Sequence, residues 1–123
     1  MNGSSETSLP RGLVIAEGYL ELATGPAAKL GLAVPLQRRT LRTALRTAVE
    51  CQVSRRHRPR QALLIGQALR LLGRYDLAIL PLRRAARNPA TRRDALLGLG
   101  WCCKRLGDLD AAILAITRGL ASD

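Results

Sequence analysis

The stretch Ile65-Gly66-Gln67-Ala68-Leu69-Arg70-Leu71-Leu72-Gly73-Arg74-Tyr75-Asp76-Leu77-Ala78-Ile79 decides the fold, because it recurs 34 residues later as Leu99-Gly100-Trp101-Cys102-Cys103-Lys104-Arg105-Leu106-Gly107-Asp108-Leu109-Asp110-Ala111-Ala112-Ile113. Residues 59–89 set over 93–123, without a gap, give nine identities in 31 positions: Leu63/Leu97, Gly66/Gly100, Leu72/Leu106, Gly73/Gly107, Asp76/Asp110, Ala78/Ala112, Ile79/Ile113, Leu80/Leu114 and Arg84/Arg118. Two aligned glycine pairs and the Asp-x-Ala-Ile-Leu run mark a true internal repeat.

Each unit reads as helix, turn, helix. Ala62, Ile65, Leu69 and Leu72 recur at helical spacing, and Gly73 then ends the helix in the left-handed conformation that glycine tolerates. A second helical pattern follows with Tyr75, Ala78, Ile79, Leu82, Ala85 and Ala86. The later unit repeats both halves with Leu96, Leu99, Cys103 and Leu106, then Gly107, then Leu109, Ala112, Ile113, Ile116 and Leu120. A glycine inside a helix costs about 1 kcal/mol against alanine. Gly66 and Gly100 are therefore expected where a neighbouring helix comes too close for a side chain, with Ala78 and Ala112 in the same role. Pro81 also falls inside a helix, near its start, where a bend does least harm.

These runs resemble tetratricopeptide repeats, and the resemblance covers residues 59–123. It implies an all-α fold in which antiparallel helical hairpins stack as a short, right-handed solenoid. Small residues stand at the Gly66, Gly73, Ala78 and Ala85 positions of the family pattern. The large aromatic of the first helix is replaced by Ala62 and Leu96, and the proline that closes a unit comes early, at Asn88-Pro89.

The first half of the chain follows the pattern less closely. Gly12–Thr24 reads as a first helix, with Ala16, Tyr19 and Ala28 matching Gly66, Leu69 and Ala78 at a shift of 50. Gly25-Pro26 is a turn, and Leu36–Val53 is the second helix, opened by Pro35, whose missing N–H costs nothing there. Leu41, Ala44, Leu45 and Cys51 lie 34 residues before Tyr75, Ala78, Ile79 and Ala85. The expected organisation is a disordered tail at 1–10 and one helical domain at 11–123. Within it, 11–58 forms a degenerate first unit with an insertion, 59–92 the second unit and 93–123 the third.

Composition narrows the function. The 123 residues carry 20 Lys+Arg against 9 Asp+Glu, a net charge of +11, and only 2% aromatics. One histidine, His57, sits among arginines with no carboxylate beside it, and the glycines fall at helix-packing positions rather than in a phosphate loop. The expectation is a protein that is not an enzyme and needs no cofactor. The three cysteines, Cys51, Cys102 and Cys103, form no metal-ligand pattern and read as buried small hydrophobes in a reducing cytoplasm. No stretch reaches the length of a membrane span, and no secretory signal is legible.

The resemblance implies peptide or protein recognition in a concave groove lined by the first helices. The side of those helices away from the Ile65/Leu69/Leu72 stripe carries Arg60, Leu63, Gln67, Arg70 and Leu71, then Asp94, Leu97, Trp101, Lys104 and Arg105. Arg60, Gln67, Arg70, Trp101, Lys104 and Arg105 are the candidate groove residues. Trp101 is either an exposed anchor between cations or a packed core residue, and both readings stand at this point. Family members that hold a C-terminal carboxylate use a clamp of basic residues and Asn. Leu13, Glu17, Gln67, Asp94 and Gly98 stand at those positions, so that ligand is not implied.

A basic patch is expected at Arg38, Arg42, Arg46, Arg55, Arg56 and Arg58, the first three forming a stripe down one helix. Residues 83–93 add five more arginines. Such a surface attracts an acidic protein or peptide, or nucleic acid. The scarcity of stacking aromatics favours the acidic protein. The last helix pair has no cap, which points either to a continuing array or to self-association through that open end.

Overall fold

The computed structural model describes residues 9–25 and 34–122. Every regular element among them is helical: α1 (Arg11–Thr24), α2 (Val34–Glu50), a 3-10 turn (Arg55–His57), α3 (Arg58–Leu71), α4 (Tyr75–Ala85), α5 (Pro89–Arg105) and α6 (Leu109–Ala121). The tail at 1–8 and the insertion at 26–33 lie outside the described residues.

Two identical turns set the layout. Gly73 has φ +82° and Gly107 φ +90°, a region that any side chain would strain. The Leu69 carbonyl accepts from the Arg74 N–H at 2.8 Å, and the Arg70 carbonyl accepts from the Gly73 N–H at 3.0 Å. Thirty-four residues on, the Cys103 carbonyl accepts from Asp108 at 2.9 Å and Lys104 accepts from Gly107 at 3.1 Å. This paired closure satisfies the last carbonyls of a helix and reverses the chain within three residues.

Helix starts are as local. The Pro10 carbonyl accepts from the Leu13 and Val14 N–H groups. Asn88 Oδ1 accepts from the Ala90 N–H at 2.9 Å, so Pro89 opens α5 rather than closing the preceding unit, and the expected boundary at 92/93 falls inside a helix. Asp108 Oδ1 accepts from the Ala111 N–H at 3.1 Å and starts α6. The second helix of the first pair ends at Glu50, short of Val53, and the Gln61 side chain donates to the freed carbonyls of Ala48 and Cys51 at 2.9 and 2.8 Å. Pro81 is the seventh of the eleven residues of α4, in the helix middle and not near its start.

Consecutive helices pack in pairs: α1 on α2, α3 on α4, α5 on α6. The first helix of each later pair also lies against the pair before it, α3 on α1 and α2, and α5 on α3 and α4. Two cores result. One gathers Leu13, Ala16, Leu20 and Ala23 of α1, Leu41, Ala44 and Ala48 of α2, and Leu64, Ala68 and Leu72 around α3. The other gathers Leu63 of α3, Ala78, Leu82 and Ala85 of α4, and Ala95, Leu99 and Cys102 of α5. A methyl added at Gly66 would come within 2.6 Å of Leu82, and one at Gly100 would meet Ile116, which stands at the same place in the next pair. The buried hydroxyl of Thr91 donates to the Ala85 carbonyl at 2.6 Å and ties α5 to the end of α4.

Because α3 and α5 are covered on two sides, their buried faces differ from the single stripe of large residues expected. In α3 the buried residues are Leu63, Leu64, Gly66 and Ala68, while Ala62, Ile65 and Leu69 are half-buried. In α5 they include Ala95, Gly98, Leu99, Gly100 and Cys102, and Leu106 beyond its end is exposed. No helix among the described residues is long and apolar enough to cross a membrane.

Candidate functional site

The first helices α3 and α5 lie side by side, so residues 34 apart face the same surface. Gln67 and Arg70 of α3 line a cleft of about 290 Å³ with Asp94, Leu97, Gly98 and Trp101 of α5. Arg70 Nε donates to Gln67 Oε1 at 2.7 Å, which fixes the guanidinium against the cleft wall. Burial lowers the Arg70 pKa from its ordinary value, partly offset by the Cys102 and Tyr75 side chains. Trp101 is 45% exposed, so it is not a core residue, and Lys104 Nζ lies 5.4 Å from its ring centroid.

The other expected groove residues point elsewhere. Arg105 lies over the Tyr75 ring at 5.5 Å and its Nε donates to the Tyr75 hydroxyl at 3.3 Å. Arg60 faces Glu17 at 3.9 Å and lines a different cleft, with Arg56 and His57. Leu63 is buried in the second core and lines no groove.

The arginines of the basic patch are exposed. Arg38, Arg42 and Arg46 run along the outside of α2, and Arg55, Arg56 and Arg58 surround the start of α3. Among the described residues the one ion pair is Arg60 with Glu17, so the remaining cations keep their charge unmatched. Two concavities collect them. A cleft of about 500 Å³ is lined by Arg55, Arg58 and Arg84 over a floor of Pro59, Ala62, Ile65 and Pro81, with Gln61 at its side. A second, of about 450 Å³, is lined by Arg83, Arg87, Arg92 and Arg118 with Ala86, Leu96, Ala121 and Ser122. No carboxylate lines either one.

The convergence on Arg118 was not readable from the sequence, since only the docking of α6 on α5 brings it to Arg83 and Arg87. The spacing of Arg83 and Arg87, one helical turn, was the available signal. All three cysteines are free thiols; Cys102 is fully buried, and Cys51 and Cys103 half-buried. Burial pushes the Cys102 thiol up, partly offset by Arg70. Burial and Asp108 push the Cys103 thiol up, partly offset by Arg83.

Comparison with protein-family models, curated proteins and solved structures gave no match for this chain. The repeat is accordingly defined by the chain's own period.

Proposed function

We propose that this chain is a non-catalytic protein-interaction module, a short right-handed stack of helical hairpins of the tetratricopeptide kind, which presents its basic surface to an acidic peptide or protein. The observation that carries this reading is the Arg55/Arg58/Arg84 cleft, three cations around an apolar floor with no acid in its lining. That combination suits a segment in which carboxylates alternate with apolar side chains. The Gln67/Arg70/Trp101 cleft supplies a second contact, with an exposed indole of the type that dominates interfaces. His57 shares its cleft with Arg56, Arg60 and Asn88 and no carboxylate, which supports a non-catalytic role. The free thiols fit a reducing cytoplasm.

The rival is an accessory protein that binds RNA or DNA through the arginines. No aromatic ring lines either basic cleft, and single-strand binders stack bases on such rings. Fluorescence anisotropy with a labelled peptide of alternating Glu and Leu, beside a labelled single-stranded oligonucleotide, separates the two. Exposed ion pairs contribute about 0.2–1 kcal/mol each, so replacing Arg55, Arg58 and Arg84 together by alanine should weaken peptide binding about tenfold. Replacing Arg70, Trp101 and Lys104 reports on the groove. An unchanged peptide affinity in the first variant, or tighter oligonucleotide binding that falls linearly with salt on logarithmic axes, would overturn the proposal.

A further inference from the structure

Surfaces that are covered in the middle of the chain are open at its two flanks. Along the second helix pair, Tyr75, Ile79, Leu82 and Ala86 form a stripe at spacings of four and three. Leu82 is fully buried, and Tyr75, Ile79 and Ala86 pack against the core that α5 closes. Thirty-four residues on, the same stripe reads Leu109, Ile113, Ile116 and Leu120, and these side chains are 36% to 64% exposed.

The other half of the same joint is also present and open. Inside the chain, α3 inserts Leu64, Ile65, Ala68 and Leu72 against the first pair. The register that aligns Ala16 with Gly66 and Tyr19 with Leu69 places Val14, Ile15, Gly18 and Leu22 at those four positions of α1. Val14, Ile15 and Leu22 are 44% to 54% exposed, and a Cβ built on Gly18 meets nothing within 4 Å. The small residue at the centre of the stripe recurs each time: Ala68 in α3, Cys102 in α5, Gly18 in α1. Each internal joint is also tied at its rim by a side chain of the incoming helix, from different positions of the register: Gln61 donates to the carbonyls that end α2, and Arg92 Nε donates to the Ala86 carbonyl that ends α4 at 3.0 Å.

We infer that α1 of one copy of this chain docks on the α5–α6 face of a second copy, repeating between molecules the joint that α3 and α5 make within one. The two faces are complementary rather than identical, so association is head-to-tail and extends into rings or open chains instead of stopping at a two-fold dimer. This inference rests on the internal repeat and not on the acidic-partner reading.

Sedimentation velocity of the full chain tests it, at about 0.15 M salt to screen the positive charge. Wild type should shift to larger species as concentration rises. Ile15→Glu and Ile113→Glu each spoil one face at an exposed position, so each should keep its helical circular dichroism and sediment as a monomer. Their equimolar mixture should form a dimer, because each variant retains the face the other has lost. Leu22→Lys and Leu120→Lys repeat the experiment at the far ends of both stripes. A wild type that stays monomeric up to millimolar concentration overturns the inference. So does Ile15→Glu that self-associates alone, which would mean α6 pairs with α6. So does a mixture that stays monomeric. Peptide binding at the Arg55/Arg58/Arg84 cleft should be unchanged in these variants, which keeps the two proposals separable.

Discussion

At the level of single residues, the adjacent thiols Cys102 and Cys103 are held protonated by where the helix places them. Cys102 sits in the second core, where burial disfavours the thiolate and nearby Arg70 offsets only part of that cost. Cys103 is half-buried, and Asp108 adds its negative charge to the same direction. The unfolded chain, with ordinary thiols, therefore ionises first as pH rises. Between the ordinary thiol range and the raised values, the native state binds more protons than the unfolded one, and stability falls with pH. Below that window the contribution is constant and fully present. Denaturant unfolding followed from about pH 7 to about pH 10 should show this alkaline loss, and a Cys102→Ala, Cys103→Ala double variant should lose less. Site-resolved alkylation by iodoacetamide at neutral pH should be slower at both thiols in the native chain than in urea, and slowest at the fully buried Cys102. Equal rates would show that neither burial nor Asp108 suppresses the thiolate.

At the level of helices, the repeat puts one substitution in two environments. Gly66 and Gly100 hold equivalent positions in α3 and α5, facing Leu82 and Ile116 respectively. Leu82 is fully buried between α3, α4 and α5, whereas Ile116 is 36% exposed, although a Cβ at Gly100 would also meet the Ala112 carbonyl at 3.2 Å. Alanine gains about 1 kcal/mol of helix propensity at either site, and overpacking a filled core costs about 1–3 kcal/mol. Both Gly66→Ala and Gly100→Ala should thus lower stability by about 1–2 kcal/mol, with Gly66→Ala the costlier because its neighbour is fully buried; thermal unfolding of both gives the ordering, and the reverse order would show that the backbone contact at the Ala112 carbonyl, not the facing side chain, governs. The same asymmetry explains what the sequence disclosed. The pattern of α4 was legible because its buried face carries Leu82 and Ala78 at helical spacing with large residues beside them. The faces of α3 and α5 were not, because a helix gripped from two sides buries small residues, such as Ala68, Ala95, Gly98 and Cys102, and pushes large ones to the flanks. Leu63 was misplaced because the second covered side of α3, against α4 and α5, buries it. The cleft of Gln67, Arg70 and Trp101 could be read from the 34-residue offset alone, whereas the cluster of Arg83, Arg87, Arg92 and Arg118 required the docking of α6.

Across the whole molecule, burial declines from the middle toward α6, and stability should decline with it. Leu82 joins three helices, and the two cores meet along α3, which lends Leu64 and Ala68 to one and Leu63 to the other. By contrast α6 buries only Ala112 and Gly119 among its residues. In a stack where each pair contacts only its neighbours, opening a terminal pair leaves the rest intact, whereas opening α3 separates both cores. Native-state hydrogen exchange should therefore find α6 amides exchanging through local opening, with protection well below the global unfolding free energy, and α3 amides near that limit. Leu82→Ala, at a cost of about 2–5 kcal/mol for a filled site, should lower protection in α3, α4 and α5 together and leave α1 and α2 less affected. Uniform protection from α1 to α6 would show one cooperative unit and contradict the nearest-neighbour scheme. Raising the protein concentration adds a further discriminator: head-to-tail docking covers the α6 stripe, so α6 protection should climb with concentration while that of α3 stays fixed, and Ile15→Glu should abolish the climb without touching the dilute-solution profile.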